Sequence, residues 1–237
     1  MAQPKVLSTD PRVVVALDFE ALAPCERLMD QLDPSFCRVK IGKELFTACG
    51  PAAVKAAHAR GFDVFLDLKF HDIPATVAKA VSAAADLGVW MVNVHASGGP
   101  RMLTAAAEML ANRANPPLLI GVTVLTSMAE DELHQLGVRA PLEEHVLHLA
   151  GLVKDAGLDG IVCSALEAEV MKSRFGKDFL LVTPGIRPEG SPVDDQKRIV
   201  TPKEAIRWGS DYLVIGRPIT KASDPARACG EIVKSLS

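Results

Sequence analysis

Eight short runs of aliphatic and β-branched residues recur along this chain, and they constrain its fold more than any other feature. Each run is almost continuously apolar rather than alternating, which is typical of strands buried on both faces. Segments with helical spacing separate the runs, so successive strands are expected to be parallel and joined by right-handed crossovers. The runs are VVVAL (13–17), CRVKI (37–41), DVFLDL (63–68), VWMVNV (89–94), LLIGVTVL (118–125), GIVCS (160–164), FLLVT (179–183) and YLVIG (212–216).

The segments between the runs carry helix signals. Apolar residues from Leu142 to Val153 recur at steps of three and four residues, which places them on one helical face. Thr201 and Asp224 each stand directly before a proline, and Glu204 follows Thr201 at the spacing of a capping box. These positions predict helices that begin at residues 202 and 225.

Eight strand-helix units in 237 residues favour a closed (β/α)8 barrel, a single α/β domain spanning residues 1–237. The alternative is an open doubly wound sheet, which would need a glycine-rich nucleotide turn after its first strand. The segment ALDFEALAPCE contains no glycine there. Because barrels of this kind carry their chemistry at the carboxyl ends of the strands, those ends hold the candidate site residues.

Composition narrows the class of protein. The net charge of -3, without a run of Lys and Arg, argues against a nucleic-acid partner. The apolar runs are shorter than the ~18 residues that a membrane span requires, and the first residues lack the apolar core of a signal peptide. Five scattered cysteines without a CxxC pair indicate neither a disulfide framework nor a zinc site. We therefore expect a cytoplasmic protein with no nucleic-acid or membrane partner.

Charged residues gather where the predicted strands end. Asp18 follows the first run, Lys40 lies near the end of the second, and Asp67, Lys69 and Asp72 crowd the end of the third. If the third strand persists, Asp67 and Lys69 share one face, because strand side chains alternate. Ordinary solvated strand ends explain any one of these charges. Three together at a half-buried position indicate an active site, since such charges are tolerated mainly when paired.

A second group of polar residues follows the fifth, seventh and eighth runs. Thr126 and Ser127 directly follow the fifth run, and Arg187 lies in a long loop rich in glycine and proline after the seventh. Gly216 and Arg217 form a turn after the eighth run. Loops after strands seven and eight of such barrels commonly bind phosphate, and an arginine fork suits phosphate oxygens. The long loop is either a movable lid over a substrate or a basic loop that faces solvent.

The histidines carry weaker signals. His145 and His148 are three residues apart, but the exposed face of a helix explains them better than a metal site. His95 follows the fourth run and is interpreted as structural support, and the role of His71 is open.

The motif DLKFHDIPAT (67–76) resembles the signature of the orotidine 5'-phosphate decarboxylase family. The other matching motifs follow in the family's order: VALD (15–18), VKIG (39–42), VTVLTS (122–127), TPGIRP (183–188) and IGRPIT (215–220). The resemblance implies a (β/α)8 homodimer that converts orotidine 5'-phosphate to UMP and carbon dioxide, the last step of de novo pyrimidine synthesis. It also implies that neither a metal nor an organic cofactor takes part.

The resemblance further implies a role for each matching residue. Lys69 is the expected proton donor to C6 of the pyrimidine, and the charged array around it is completed by Lys40, Asp67 and Asp72. In the family the second aspartate and the threonine of the motif, here Asp72 and Thr76, reach into the partner subunit's site. The expected substrate contacts are Asp18 and Lys40 on the ribose, Thr126 and Ser127 on the pyrimidine, Gln196, Gly216 and Arg217 on the phosphate, and Arg187 on the closing loop.

Three other functions stay open on the same residues. A metal-dependent sugar-phosphate lyase or decarboxylase of this barrel type uses a similar DxK…D pattern to hold a magnesium-bound enediolate. A Schiff-base aldolase would use Lys69 as its nucleophile. An inactive phosphate-binding barrel is the third, and the intact set of Asp67, Lys69 and Asp72 argues against it.

Overall fold

A computed structural model describes residues 10–188 and 200–236, and within them eight parallel strands close into a barrel in chain order. Each strand pairs with its neighbours in sequence, and the last pairs with the first. The predicted (β/α)8 barrel is thereby confirmed. The strands are β1 (Val13–Ala16), β2 (Cys37–Gly42), β3 (Val64–Phe70), β4 (Met91–His95), β5 (Leu118–Val122), β6 (Gly160–Val162), β7 (Leu180–Thr183) and β8 (Tyr212–Ile215).

Helices surround the barrel, and their starts follow the predicted caps. Thr201 accepts a hydrogen bond from the backbone N–H of Glu204, and Asp224 accepts one from Arg227. The described helices are α1 (Leu22–Met29), α2 (Lys43–Cys49), α3 (Pro51–His58), α4 (Pro74–Asp86), α5 (Gly99–Ala111), α6 (Glu130–Gln135), α7 (Leu142–Asp155), α8 (Ala168–Phe175), α9 (Pro202–Arg207), α10 (Arg217–Thr220) and α11 (Pro225–Ser235).

The apolar runs are buried on both faces, as their continuity predicts. In β1, Val13 and Val15 belong to the large core between the sheet and the helices, whereas Val14 faces the barrel interior. The interior cluster is small, and it also contains Ala16, Phe65, Met91, Ile120, Val182, Tyr212 and Val214. Both layers exclude water, so the polar groups at the strand ends stand out against an apolar background.

Arg38 closes the amino-terminal end of the barrel interior. Its guanidinium lies 4.0 Å from the centre of the Trp90 ring and forms salt bridges to Asp10 (2.6 Å) and Asp63 (3.1 Å). Tyr212 packs edge-on against the same Trp90 ring. This end is therefore filled by paired and stacked side chains, and the opposite, carboxyl end holds the open cavity described below.

The strands begin or end one to three residues away from the ends of their apolar runs, and two of these differences, at the carboxyl ends of the fifth and third strands, concern the candidate site residues. The fifth run was expected to continue to residue 125, which is wrong, because β5 ends at Val122. Thr123 makes the last contacts with the sheet, through its N–H and its hydroxyl to the carbonyl of Val162, before the chain enters a loop. The third strand is longer than its apolar run and continues to Phe70, with a break in register between Leu66 and Phe70.

The remaining expectations concern membranes and thiols. No helix among residues 10–188 and 200–236 is long and apolar enough to cross a membrane. The five cysteines are free thiols, and four of them are buried.

Candidate active site

A cavity of about 570 Å³ opens at the carboxyl ends of the strands. Its floor includes apolar residues of the barrel interior such as Phe65 and Val214, and its rim includes the loops after β5, β7 and β8. Nine residues selected from the sequence line it together: Asp18, Lys40, Asp67, Lys69, Thr126, Ser127, Arg187, Gly216 and Arg217.

Four charged side chains form a chain of alternating sign along one wall of this cavity. Lys40 Nζ lies 3.5 Å from Asp18 Oδ1 and 3.3 Å from Asp67 Oδ2, and Lys69 Nζ lies 2.5 Å from Asp67 Oδ1. Asp67 and Lys40 are largely buried, with side chains 11% and 10% exposed. The two carboxylate oxygens of Asp67 thus face two different ammonium groups.

The charge of Asp67 is maintained by these neighbours. Burial alone would raise the pKa of the Asp67 carboxyl, since it penalises the charged form. The ammonium groups of Lys40 and Lys69, with hydrogen bonds from Lys69 and Asn93, outweigh that penalty and lower the pKa below its usual value. Asp67 is therefore a carboxylate at neutral pH, buried between two cations.

Lys69 reaches the cavity through an irregular backbone. It is the one non-glycine residue with positive φ (51°) among the described residues, and it lies in the register break of β3. A lysine rarely adopts this left-handed region, so surrounding contacts must hold it there. Leu66 is buried toward the helices and Leu68 and Phe70 pack against the same outer core, as the alternation of the motif predicts.

The sequence analysis did not select Asn93, which holds this irregular strand. Asn93 lies in β4 and is fully buried. Its Nδ2 donates to Asp67 Oδ1 (2.7 Å), and its Oδ1 accepts from the backbone N–H of Lys69 (2.8 Å). A polar residue within the apolar run VWMVNV was the available signal, since a buried amide must be hydrogen-bonded.

Other residues that line the cavity come from the segments after β7 and β8. Arg187 is buried (6% exposed). Its backbone N–H donates to the carbonyl of Val200 (3.0 Å), and its side-chain Nη1 donates to the carbonyl of Ile186 (3.2 Å). Gly216 precedes α10, and a Cβ added there would lie 3.6 Å from the Cβ of Ala16, in ordinary contact. Arg217, at the start of α10, also lines the cavity.

Two predicted site residues within the described part of the chain do not line this cavity. Asp72 and Thr76 are exposed, at the turn before α4 and in its first turn. Asp72 Oδ1 accepts from the N–H of Ile73 (2.6 Å), and the side chain of Ile73 is itself 66% exposed. Gln196 lies outside the described residues.

His71 and His95 lie beside the charged wall, with ring centres 5.6 Å apart. Burial, together with the charges of His71 and Lys69, lowers the pKa of His95 to about 4. His95 is therefore neutral at physiological pH. Among the described residues, no three His, Cys, Asp or Glu side chains converge where they could hold a metal ion.

A protein-family model described as "Orotidine 5'-phosphate decarboxylase / HUMPS family" matches residues 11–232 of the chain. The chain belongs to this family. Among curated relatives, orotidine 5'-phosphate decarboxylase of Saccharophagus degradans is 57% identical over 228 residues, which cover 96% of each chain. The enzyme of the same name from Vibrio cholerae is 59% identical over 228 residues, covering 96% of this chain and 99% of its own.

Solved structures agree with the sequence relatives. The crystal structure of orotidine 5'-phosphate decarboxylase from Lactobacillus acidophilus superposes with a TM-score of 0.85 at 41% identity, covering 96% of this chain and all of that chain. The matches to the orotidine 5'-phosphate decarboxylase family extend over nearly the whole chain, so they include every strand that contributes to the cavity. The chain is accordingly an enzyme of the carboxy-lyase class to which these relatives belong.

Proposed function

We propose that this enzyme decarboxylates orotidine 5'-phosphate to UMP directly at C6, with Lys69 as the proton donor. The observation that carries the proposal is the series of alternating charges on the cavity wall, in which Lys40 and Asp67 are largely buried; its members are Asp18, Lys40, Asp67 and Lys69. The bond between C6 and the carboxylate carbon breaks, its electron pair stays on C6, and carbon dioxide leaves. Lys69 Nζ then gives one proton to C6, and the resulting amine regains a proton from solvent.

The arrangement suits a reaction that leaves a localised carbanion. A fixed cation beside C6 stabilises the developing negative charge, and the same ammonium supplies the proton. Asp67 holds the Lys69 ammonium in one place through a 2.5 Å contact. Because Asp67 also faces Lys40, its charge is retained while the substrate carboxylate binds nearby.

Repulsion between Asp67 and the substrate carboxylate contributes only part of the rate. Two like charges about 4 Å apart interact by about 4 kcal/mol at an effective dielectric near 20. Enzymes lower barriers by about 8–23 kcal/mol. Stabilisation of the carbanion by the preorganised Lys69 therefore supplies much of the remainder, driven by binding energy from the ribose and the phosphate.

The rest of the cavity is assigned to the non-reacting parts of the nucleotide. We place the ribose hydroxyls at Asp18 and Lys40 and the pyrimidine at Thr126 and Ser127. The phosphate is assigned to Gly216 and Arg217, which lie together at the start of α10 and both line the cavity. Arg187, in the segment after β7, completes the proposed set together with Gln196, which lies outside the described residues.

We also propose a cytoplasmic homodimer with shared active sites, working without metal or organic cofactor. Asp72 and Thr76 are exposed in one chain although they belong to the signature motif, and the apolar Ile73 between them is exposed as well. A partner subunit would cover Ile73 and receive the other two side chains.

Subunit mixing tests the sharing. Lys69→Ala and Asp72→Ala variants should each be nearly inactive alone. If Asp72 serves the partner's site, a mixed dimer contains one intact site, and activity returns on mixing. Absence of recovery, with subunit exchange confirmed by mass spectrometry, would refute shared sites.

The alternative function, on the same residues, is a metal-dependent sugar-phosphate lyase or decarboxylase of this barrel type. The carboxylate of Asp67 argues against it, because Oδ1 accepts from Lys69 and Asn93 while Oδ2 faces Lys40. A carboxylate engaged by two ammonium groups is a poor ligand for a divalent cation. Orotidine 5'-phosphate turnover that persists in excess EDTA would support the proposal, and an absolute magnesium requirement would contradict it.

A further inference from the structure

Asn93 lies behind the charged wall rather than on the surface of the cavity. It is fully buried, and it is not among the residues that line the cavity. Its two hydrogen bonds nevertheless reach both members of the pair proposed for catalysis: the carboxylate of Asp67 at 2.7 Å and the backbone N–H of Lys69 at 2.8 Å. Asn93 therefore connects β4 to the point where β3 is irregular.

The two partners of Asn93 require opposite hydrogen-bonding groups. The backbone N–H of Lys69 needs an acceptor, and the carboxylate of Asp67 needs a donor. A side-chain amide offers both in one plane, whereas a carboxylate offers only acceptors and an aliphatic residue offers neither. The orientation of the amide is thus determined by its partners.

The backbone contact explains how Lys69 stays in the left-handed region. With φ at 51°, Lys69 adopts a conformation that non-glycine residues rarely adopt, within a strand whose register shifts at that point. The bond from its N–H to Asn93 is made across the strands, in place of a regular ladder bond. Without that acceptor the segment is free to relax toward regular extended geometry, which would change the direction of the lysine side chain.

We propose that Asn93 is a positioning residue, which sets the Lys69 ammonium against Asp67 by holding the backbone of one and the carboxylate of the other. This inference rests on the proposed function, in which Lys69 donates the proton to C6. Asn93 acts only through these two residues and does not touch the substrate. Its loss should therefore lower the rate of the chemical step while leaving nucleotide binding largely intact.

The first test uses Asn93→Ala, with Val92→Ala as the matched control. Val92 is a neighbouring, fully buried residue of β4 that faces the helices, so its truncation perturbs the same strand without touching the charged wall. We expect kcat for orotidine 5'-phosphate to fall roughly 100-fold in Asn93→Ala, as a displacement near 1 Å does in other enzymes. KM and the Kd for UMP should change by less than about threefold, which identifies a loss specific to the chemical step.

The second test uses Asn93→Asp, which preserves the shape of the side chain and the acceptor for Lys69. The introduced carboxylate meets the carboxylate of Asp67, and two such groups share a proton with a raised pKa. Once protonated, the introduced group can donate to Asp67 as the amide does. The ratio of variant to wild-type kcat should therefore rise as the pH falls, a recovery that loss of packing alone would not produce.

The outcomes are distinguishable. The positioning role is overturned if Asn93→Ala keeps the wild-type kcat, or if Val92→Ala loses as much kcat as Asn93→Ala does. Failure of the wild-type enzyme to turn over orotidine 5'-phosphate overturns the proposed function instead. A crystal structure of Asn93→Ala gives a readout without activity: we expect Lys69 to leave the left-handed region, and an unchanged Lys69 would also overturn the inference. If Asn93→Ala does not fold, the pH-dependent recovery of Asn93→Asp decides, and its absence counts against the role.

Discussion

Replacing Asp67 by Asn removes one charge and almost no volume from the centre of the charged wall. The two ammonium groups of Lys40 and Lys69 then remain largely buried without the carboxylate that both face. The amide also presents a donor where one of the two cations requires an acceptor. We expect the variant to be less stable than the wild type and nearly inactive.

The geometry sets the magnitude of the stability loss. At an effective dielectric near 20, charges 3.3 Å and 2.5 Å apart attract by about 5 and about 7 kcal/mol. Dehydration of the buried ions offsets most of this gross attraction. Removing one partner from a buried pair costs roughly 3–5 kcal/mol, because the remaining charge is left uncompensated. That range is the expected decrease in the free energy of unfolding.

Urea unfolding of a double-mutant cycle measures this coupling. Asp67→Asn, Lys40→Met and the double variant should be non-additive by about 1–3 kcal/mol, since the second substitution removes a cation that the first left unpaired. The lowered pKa of Asp67 adds a pH signature. Its stabilisation should be complete above the unfolded pKa of about 3.9 and be lost as the pH falls through the lower folded pKa. Additive substitutions, or an Asp67→Asn variant as stable as the wild type, would refute the reasoning.

Three further predictions follow from local geometry. Gly42→Ala should lower kcat/KM by about tenfold in steady-state kinetics, because the new Cβ would lie 3.2 Å from the ammonium of Lys40. The backbone would not be strained, since φ of Gly42 is -92°. Gly121→Ala should cost about 1–3 kcal/mol in urea unfolding, since its Cβ would meet Val153 Cγ2 at 2.2 Å. NMR titration of His95 should give a pKa of about 4, and the stability that the neutral ring contributes should be lost as the pH falls from 6.5 toward that value.

Much of the fold follows from the sequence because its signals are local. Continuous apolar runs predict strands buried on both faces, and Thr201 and Asp224 predict helix starts through contacts within one turn. The placement of Asp67 and Lys69 on the cavity wall also follows, since strand alternation and the barrel rule suffice.

The remaining features depend on contacts between distant segments. The left-handed conformation of Lys69 is stabilised by Asn93, 24 residues away in sequence, and no local pattern predicts it. The end of β5 at Val122 depends on Val162 in the neighbouring strand, although the apolar run continues past it. The environment of Asp72 in a dimer depends on a second chain, so one sequence can suggest its role only through family resemblance.

The most direct test of the central claim is an assay of orotidine 5'-phosphate decarboxylation, monitored by the decrease in substrate absorbance. The assay compares the wild type with Lys69→Ala in excess EDTA. The wild-type rate should be unaffected by the chelator. The variant should lose roughly 10⁴-fold or more, the combined scale of a missing general acid and a missing electrostatic stabiliser. A wild-type rate that requires added metal, or a Lys69→Ala variant that retains near wild-type turnover, would contradict direct decarboxylation with Lys69 as the proton donor.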